Sequence, residues 1–366
     1  MLELYFHEYN FLLPFLLVFF FYWVVFFKLN FYTVRQRGLN SDTVTKVNLV
    51  KKLHFFFPLK FGLVLSFFLI IYVNLLRGYS CVFWWNHLII TNFNCYLLFY
   101  FLVFNLIVMS FIYFLAFSPI NYSADYFFAI MNLSLFLPLI FTSNNLFTFF
   151  FFLEVNSCLI FYKFVSSKIW YKNNFNLFNF DILKFNKLVP KNYLNVLFFQ
   201  FWATFFSSIL ILFFFMNLIY IFGSTEWSYL NFLIHQELEI KYINNNFFFF
   251  MFCFIFLLGI FLKIGLTPFH LFKIEVYKGI PFLSIFFYTT YYFLIFFIFF
   301  VIVIMNYLLS CYSFMWFFLI FTLLGGSVYI ISLLFDVNYI KAFFAYSTII
   351  NSLSFFFILI STLNNL

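Results

Sequence analysis

The chain has 366 residues, of which 66% are hydrophobic and only 8% are charged, and its formal net charge is +8 at pH 7. Apolar segments of about twenty residues, the length that spans a bilayer as a helix, recur from end to end. This pattern excludes a soluble domain of useful size. The basic residues fall mainly between the apolar segments, so the positive charge indicates membrane topology rather than a nucleic-acid-binding patch.

Ten membrane helices are predicted, and Lys and Arg lie mainly in alternate loops between them. The helices lie near Phe11–Phe27, Phe61–Leu76, Cys95–Phe117, Tyr126–Phe141, Leu146–Val165, Val196–Phe222, Phe247–Leu266, Phe282–Met305, Phe314–Phe335 and Ala342–Ile360. Lys273 and Lys278, after helix 7, are counted among the loop charges. By the positive-inside rule, both chain termini face away from the basic loops. The polar and aromatic stretch Ser80–Asn94 leaves room for an interfacial segment.

The amino-acid usage indicates an AT-biased genome of the kind found in organelles. Phenylalanine numbers 76 whereas glycine numbers nine and proline seven, and these are residues of AT-rich and AT-poor codons respectively. The five cysteines lack C-x-x-C spacing, so neither a metal site nor a disulfide framework is predicted. The acidic start of the chain and its long first apolar segment argue against a secretory signal peptide.

Glu154 is a carboxylate in the middle of predicted helix 5. Such a group costs about 2.5–3.5 kcal/mol at the membrane centre on insertion scales. Ser157, Cys158 and Tyr162 follow at helical spacing and share its face. Intramembrane ionisable groups usually serve function, which favours a functional role. The alternative is a neutral glutamate that is satisfied by local hydrogen bonds and only packs.

Lys263 stands at the end of predicted helix 7, directly before Gly265 and Pro268. If the helix breaks at Gly265–Pro268 and resumes through Phe269–Tyr277, the lysine lies towards mid-membrane, where Glu154 is the available acid. Such a pair couples two protonation states, as a proton relay requires. The alternative is a lysine that reaches the surface at an ordinary helix end. Gln200 in helix 6 is either a relay residue or a hydrogen-bonding contact between helices.

Three sequence blocks resemble one family. Lys263-x-Gly265-x-x-Pro268-Phe269-His270, continued by Glu275-Val276-Tyr277-x-Gly279-x-Pro281, resembles the helix 7 signature of the NADH dehydrogenase subunit 2 family, antiporter-like membrane subunits of respiratory complex I. Ser143-Asn-Asn-Leu through Glu154-x-x-Ser157 and Tyr162 resembles its helix 5. Lys341-Ala-Phe-Phe-Ala-Tyr346-Ser347-Thr-Ile resembles a third block, and all three occur in the family's order.

The resemblance implies an all-α polytopic membrane protein with an antiporter-like fold and a broken helix 7. It implies a membrane-arm subunit of proton-pumping NADH:ubiquinone oxidoreductase in the mitochondrial inner membrane, with Glu154 and Lys263 as the proton-translocation pair. The basic loops would face the matrix and both termini the intermembrane space. NADH, FMN, iron–sulfur clusters and ubiquinone are expected elsewhere in the complex, and this chain is expected to bind no cofactor or metal. The candidate relay residues are Gln200, His270, Lys341, Tyr162, Tyr346 and Ser347.

The sequence departs from the family pattern at several points. Gln200 aligns with a position that is usually lysine, and no Lys, Arg or His occurs between Lys278 and Lys341, although the family carries a lysine near Tyr292–Leu294. The family fold contains two five-helix repeats, so the resemblance implies three regions: a three-helix segment (1–117), a first five-helix repeat (118–305) and the start of a second repeat (306–366). Other membrane-arm subunits, lipids and a separate chain that supplies further helices are the expected partners, and nucleic acid is not. A non-pumping scaffold of the membrane arm and a stand-alone cation/proton antiporter remain as alternatives.

Overall fold

The structure is a computed structural model that falls into two compact units, residues 1–144 with 151–179 and residues 145–150 with 180–366. It describes residues 17, 20, 63–64, 66–75, 81–83, 87–115, 129–130, 132–133, 136, 138–166, 189–227, 229–230, 232–233, 246–280, 282–293, 296–298 and 309–363. Almost all of predicted helix 1 and the loop at 167–188 lie outside these residues. The division into three regions stays a prediction.

The described residues are largely helical. The helices are α1 (Ser66–Leu75), α2 (Asn92–Leu115), α3 (Leu146–Ser166), α4 (Val189–Phe222), α5 (Asn246–Ile264), α6 (Leu271–Gly279), α7 (Phe282–Phe287), α8 (Leu309–Phe335) and α9 (Ile340–Leu363). A 3₁₀ helix (Pro138–Thr142) precedes α3, and a π-helical turn (Tyr288–Tyr292) follows α7. The predicted helical fold is therefore confirmed.

Three of the described helices have segments that are long and apolar enough to cross a membrane: Leu146–Val165, Asn195–Phe222 and Ile340–Ile358. Shorter apolar helices include Met251–Ile264 and Leu319–Phe335. Many of the large apolar side chains on these helices are exposed within the chain, as expected where lipid rather than water surrounds a protein. The polytopic class follows from these segments.

The first unit contains the one strand pair among the described residues. Strands β1 (Cys81–Phe83) and β2 (Leu88–Ile90) pair antiparallel within the stretch that leaves room for an interfacial segment, and the end of that stretch belongs to α2. The backbone N–H of Asn144 donates to the carbonyl of His87 at 2.9 Å, which joins the hairpin to the segment before α3. Phe101 of α2 stacks on Phe141 of the 3₁₀ helix with ring centroids 5.3 Å apart.

In the second unit, α4 is the helix against which α5 and α6 both pack. Phe214 of α4 stacks on Phe256 of α5 with ring centroids 4.5 Å apart. The two helices approach closely at Gly259, since a β-carbon added there would lie 3.1 Å from Ile211 Cγ1. Helix α9 packs against α6 and α8 and completes the surroundings of the break between α5 and α6.

Candidate functional site

Predicted helix 7 is broken in the structure between α5 and α6. Helix α5 ends at Ile264, and Gly265 adopts a left-handed conformation with φ of +77°. The N–H groups of Gly265 and Leu266 both donate to the carbonyl of Phe261 at 2.9 Å, a common way to close a helix at a glycine. The chain resumes as α6 at Leu271, so the predicted break at Gly265–Pro268 is confirmed.

Lys263 lies two residues before the left-handed glycine, in the last turn of α5. The residue is 3% exposed, so the lysine is buried and does not extend to the surface at an ordinary helix end. The last carbonyl groups of a helix have no partner within it, which makes a helix end a favourable place for a buried cation. Lys263 is therefore a buried cation at the end of α5, and its functional role stays a prediction.

The break is held against α8 through a threonine and a glycine. Thr267 Oγ1 donates to the carbonyl of Thr322 at 3.4 Å. A β-carbon added to Gly326 would overlap Thr267 Oγ1 and lie 2.9 Å from Thr267 Cβ, whereas one added to Gly325 would meet nothing within 4 Å. Only the second of the two adjacent glycines is thus needed for the close approach.

Two predicted relay residues lie near the two ends of α6. His270, at the start of α6, is 4% exposed, and its ring meets Tyr329 of α8 edge-on at 5.6 Å between centroids. Lys341, at the start of α9, donates from Nζ to the carbonyl of Ile280 at 2.8 Å, just past the end of α6. This second contact caps a helix C-terminus with a cation. The relay roles of both residues stay predictions.

A line of polar side chains joins α4, α6 and α9. Gln200 on α4 is 1% exposed, and its side chain interacts with the hydroxyl of Tyr288. The ring of Tyr288 meets that of Tyr277 on α6 edge-on at 6.1 Å. Thr348 Oγ1 on α9 donates to the Tyr277 hydroxyl at 3.4 Å. Tyr346 and Ser347 lie on the same helix and are half-buried, and their relay roles stay predictions.

Lys273 is a buried lysine that sequence reasoning missed. Its interpretation as a loop charge is wrong, because α6 carries it into the interior with 3% of the residue exposed. Its Nζ lies 5.9 Å from the ring centroid of Phe293, in the stretch where the resemblance implies a lysine. The sequence signal that could have identified Lys273 as buried is helical spacing, because Lys273 and Tyr277 are four residues apart and share a helix face. Glu275 and Lys278 instead form an exposed ion pair of 2.6 Å.

A cavity of about 240 Å³ lies beside Lys273. Its polar lining consists of Lys273, Tyr277, Tyr288, Thr289, Thr290, Thr348 and Asn351, and its apolar lining of Ile264, Phe293 and Phe355. All of these residues belong to the second unit. Residues from both sides of the helix break therefore line one cavity, which combines a mostly apolar surface with several hydroxyl groups and the Lys273 side chain.

Glu154 lies on α3, in the part of that helix that belongs to the first unit. The carboxylate is half-buried, and Ser157 Oγ donates to its Oε2 at 3.3 Å and to the Glu154 carbonyl at 2.8 Å. On the expected polar face, Ser157 is buried, Tyr162 half-buried and Cys158 exposed. The face thus runs along the border between the buried and exposed sides of the helix.

The buried side of α3 carries two further polar residues. Asn156 is fully buried and its Nδ2 donates to the carbonyl of Phe136 at 3.4 Å. Lys163 is 1% exposed and seven residues further on, which places it on the same side. Sequence reasoning did not single out Lys163. Because Glu154 and Lys263 belong to different units, their pairing stays a prediction.

Comparisons of the sequence with known proteins match only part of the chain. No known family profile matches the chain. An uncharacterized mitochondrial protein of Paramecium tetraurelia, ORF4, is 51% identical over 74 residues, which are 20% of this chain and 47% of that protein. The matched region therefore spans about half of the curated relative.

Two solved structures cover nearly all of this chain. One is the membrane-bound sulfane sulfur reductase, an archaeal respiratory membrane complex, with a TM-score of 0.64, 13% identity, and coverage of 93% of this chain and 63% of that one. The other is respiratory complex I from Thermus thermophilus with bound aureothin, with a TM-score of 0.55, 14% identity, and coverage of 92% and 62%. The chain thus has the antiporter-like fold of membrane subunits in respiratory complexes, and spans less than two thirds of either matched chain.

Proposed function

We propose that this chain is a membrane-arm subunit of a mitochondrial respiratory complex and contributes to proton translocation. The observation that carries the proposal is the break between α5 and α6, which holds the buried Lys263 directly before the left-handed Gly265. The fold shared with chains of two respiratory complexes supports it. The three ordered sequence blocks favour subunit 2 of NADH:ubiquinone oxidoreductase over other respiratory subunits.

In the proposed mechanism, Glu154 and Lys263 act as a pair whose separation changes during turnover. Quinone reduction elsewhere in the complex drives the change. When the carboxylate withdraws, the buried lysine loses its partner charge and releases its proton more readily, and when it approaches, the lysine is recharged. NADH, FMN, the iron–sulfur clusters and ubiquinone would bind to other subunits, and this chain would supply no redox centre.

The proposed location is the mitochondrial inner membrane. The relative from Paramecium tetraurelia is itself named a mitochondrial protein, and the AT-biased composition agrees with an organellar gene. The basic loops would face the matrix. Fractionation of mitochondria, followed by protease treatment of mitoplasts and detection of loop fragments, tests both the location and the sidedness.

Replacing Glu154 by Gln tests the proposed pair. We expect the assembled complex to oxidise NADH while it translocates fewer protons per electron, because the amide is nearly isosteric but cannot carry charge. Proton uptake or release in sealed vesicles, measured against NADH consumption, gives the ratio. Lys278→Met is the matched control, since Lys278 is exposed and ion-paired on α6. An unchanged ratio in Glu154→Gln with normal assembly would contradict the proposed pair.

A non-pumping scaffold of the membrane arm is the second candidate function. Gln200, which is buried on α4 and faces Tyr288, favours it, because neither side chain exchanges protons readily near neutral pH. A scaffold predicts that Glu154→Gln and Lys263→Met both leave the proton-to-electron ratio unchanged while loss of the chain prevents assembly. A stand-alone antiporter instead predicts that the chain does not co-purify with an NADH-oxidising complex.

A further inference from the structure

The side chain of Lys273 is placed by the helix break itself. A β-carbon added to Gly265 would lie 3.0 Å from Lys273 Cδ and 3.1 Å from Lys273 Cβ. The aliphatic stem of the lysine therefore packs directly on the glycine that closes α5. The lysine side chain continues from this contact into the lining of the cavity.

The cavity has hydroxyl groups to which water can bind, although most of its lining surface is apolar. A water molecule occupies about 30 Å³ in the liquid and needs two to four polar partners inside a protein. The space of about 240 Å³ holds several such molecules. Hydroxyl groups of Tyr277, Tyr288, Thr289, Thr290 and Thr348 line it, and each hydroxyl both donates and accepts hydrogen bonds.

No acidic residue is among the described residues that line this cavity. The groups facing Lys273 are Tyr277 from its own helix, Tyr288 from the π-helical turn, and Thr348 and Asn351 from α9. The face of Phe293, 5.9 Å from Nζ, contributes a weak cation–π attraction at most. A desolvated ammonium is costly without a partner charge. Water in the cavity would supply the missing stabilisation and would also accept a proton.

We propose that Lys273 is a second proton-carrying residue of the broken helix and that the cavity beside it is a water-filled proton site. This inference rests on the proposed function and extends it. When the site releases a proton, an N–H bond of the ammonium breaks while an O–H bond forms on a cavity water, and that water passes one of its own protons onwards. The neutral amine is recharged when a water carrying an excess proton donates to its lone pair.

Three variants separate a proton carrier from a structural cation. Lys273→Met keeps most of the stem but removes the charge, and Lys273→Arg keeps the charge but does not release a proton. We expect both to lower the proton-to-electron ratio of the assembled complex, while Lys278→Met on the same helix leaves it unchanged. A ratio that falls in Lys273→Met but is retained in Lys273→Arg would overturn the inference, because charge alone would then suffice. Unchanged ratios in both would overturn it as well.

A high-resolution structure of the intact complex gives a readout that does not depend on pumping. We expect ordered water within hydrogen-bonding distance of Lys273 Nζ and of the Tyr277 or Thr348 hydroxyl. A dry cavity, or one filled by a lipid tail, would overturn the inference even if the complex pumps. Glu154→Gln measured in parallel distinguishes the two failures. If it lowers the ratio and Lys273→Met does not, the inference fails alone, and if neither does, the proposed function fails with it.

Discussion

The helix that carries Glu154 and the helix that carries Lys263 hold their ionisable groups in different ways. Helix α3 continues unbroken from Leu146 to Ser166, and Glu154 receives a hydrogen bond from Ser157 one turn further along. The helix of Lys263 instead breaks at Gly265 and resumes as α6, with a second buried lysine, Lys273, after the break.

The chemistry of the two groups explains this difference. A carboxylate needs hydrogen-bond donors, and a serine on its own helix face supplies one without disturbing the backbone. An ammonium needs acceptors, and the carbonyl groups of a continuous helix are already engaged with backbone N–H groups. A break changes the backbone next to the lysine and leaves the last carbonyl groups of the helix without their regular partners inside it. The comparison predicts that packing changes at the break are much more costly than the loss of the serine.

The largest effect is expected from Gly326→Ala. The new β-carbon would overlap Thr267 Oγ1, so α8 and the break would have to move apart. Overpacking of this kind costs about 1–3 kcal/mol and occasionally more. The yield and thermal stability of the assembled complex measure it. Gly325→Ala is the matched control, because nothing lies within 4 Å of its added β-carbon. Equal losses from the two variants would contradict the close approach at Gly326.

A smaller effect is expected from Gly265→Ala. A left-handed conformation costs a residue with a β-carbon about 1–2 kcal/mol, and the new atom would also press on the stem of Lys273 at 3.0 Å. Gly223→Ala, at the end of α4, isolates the first contribution, since Gly223 has φ of +68° but nothing within 4 Å. Thermal stability of the complex should fall further for Gly265→Ala. If Gly223→Ala lowers it as much, the contact with Lys273 has no energetic role.

The smallest effect is expected from Ser157→Ala. The hydrogen bond to Glu154 is 3.3 Å long, and a typical hydrogen bond contributes about 0.5–1.5 kcal/mol net. Thermal stability of the complex should therefore change by less than in Gly265→Ala. Ser208→Ala provides the comparison, because Ser208 is a buried serine whose hydroxyl donates a hydrogen bond to the carbonyl of Phe205. A loss larger than that of Gly326→Ala would contradict the contrast between the two helices.

Much of the fold could be predicted from sequence because lipid imposes simple rules. Apolar length defines helices, and glycine with proline marks the break, so predicted helix 5 and the break at Gly265–Pro268 agree with the structure. Gly265 and Pro268 could be identified from the sequence as residues of the break for the same reason. The roles of Glu154, Lys263 and the relay candidates stay predictions, since residue type alone does not define proton movement.

What sequence reasoning missed depends on side-chain direction. Lys273 and Lys278 lie on one nine-residue helix, yet the first is buried and the second is exposed. A short helix after a break gives too few residues for its buried face to be read from composition. The same holds for Gly325 and Gly326, which are adjacent but meet very different surroundings. Only the packing of α8 distinguishes the two glycines, whereas helical spacing is the one sequence signal that distinguishes the two lysines.

The most direct test of the central claim is the proton-to-electron ratio of the assembled complex carrying Lys263→Met. The substitution keeps the length and apolar stem of this buried residue but removes its ability to hold a proton. If the break between α5 and α6 positions a proton-translocating lysine, NADH oxidation continues and the ratio falls, while Lys278→Met leaves the ratio at the unmodified value. A normally assembled Lys263→Met complex with an unchanged ratio would contradict the account.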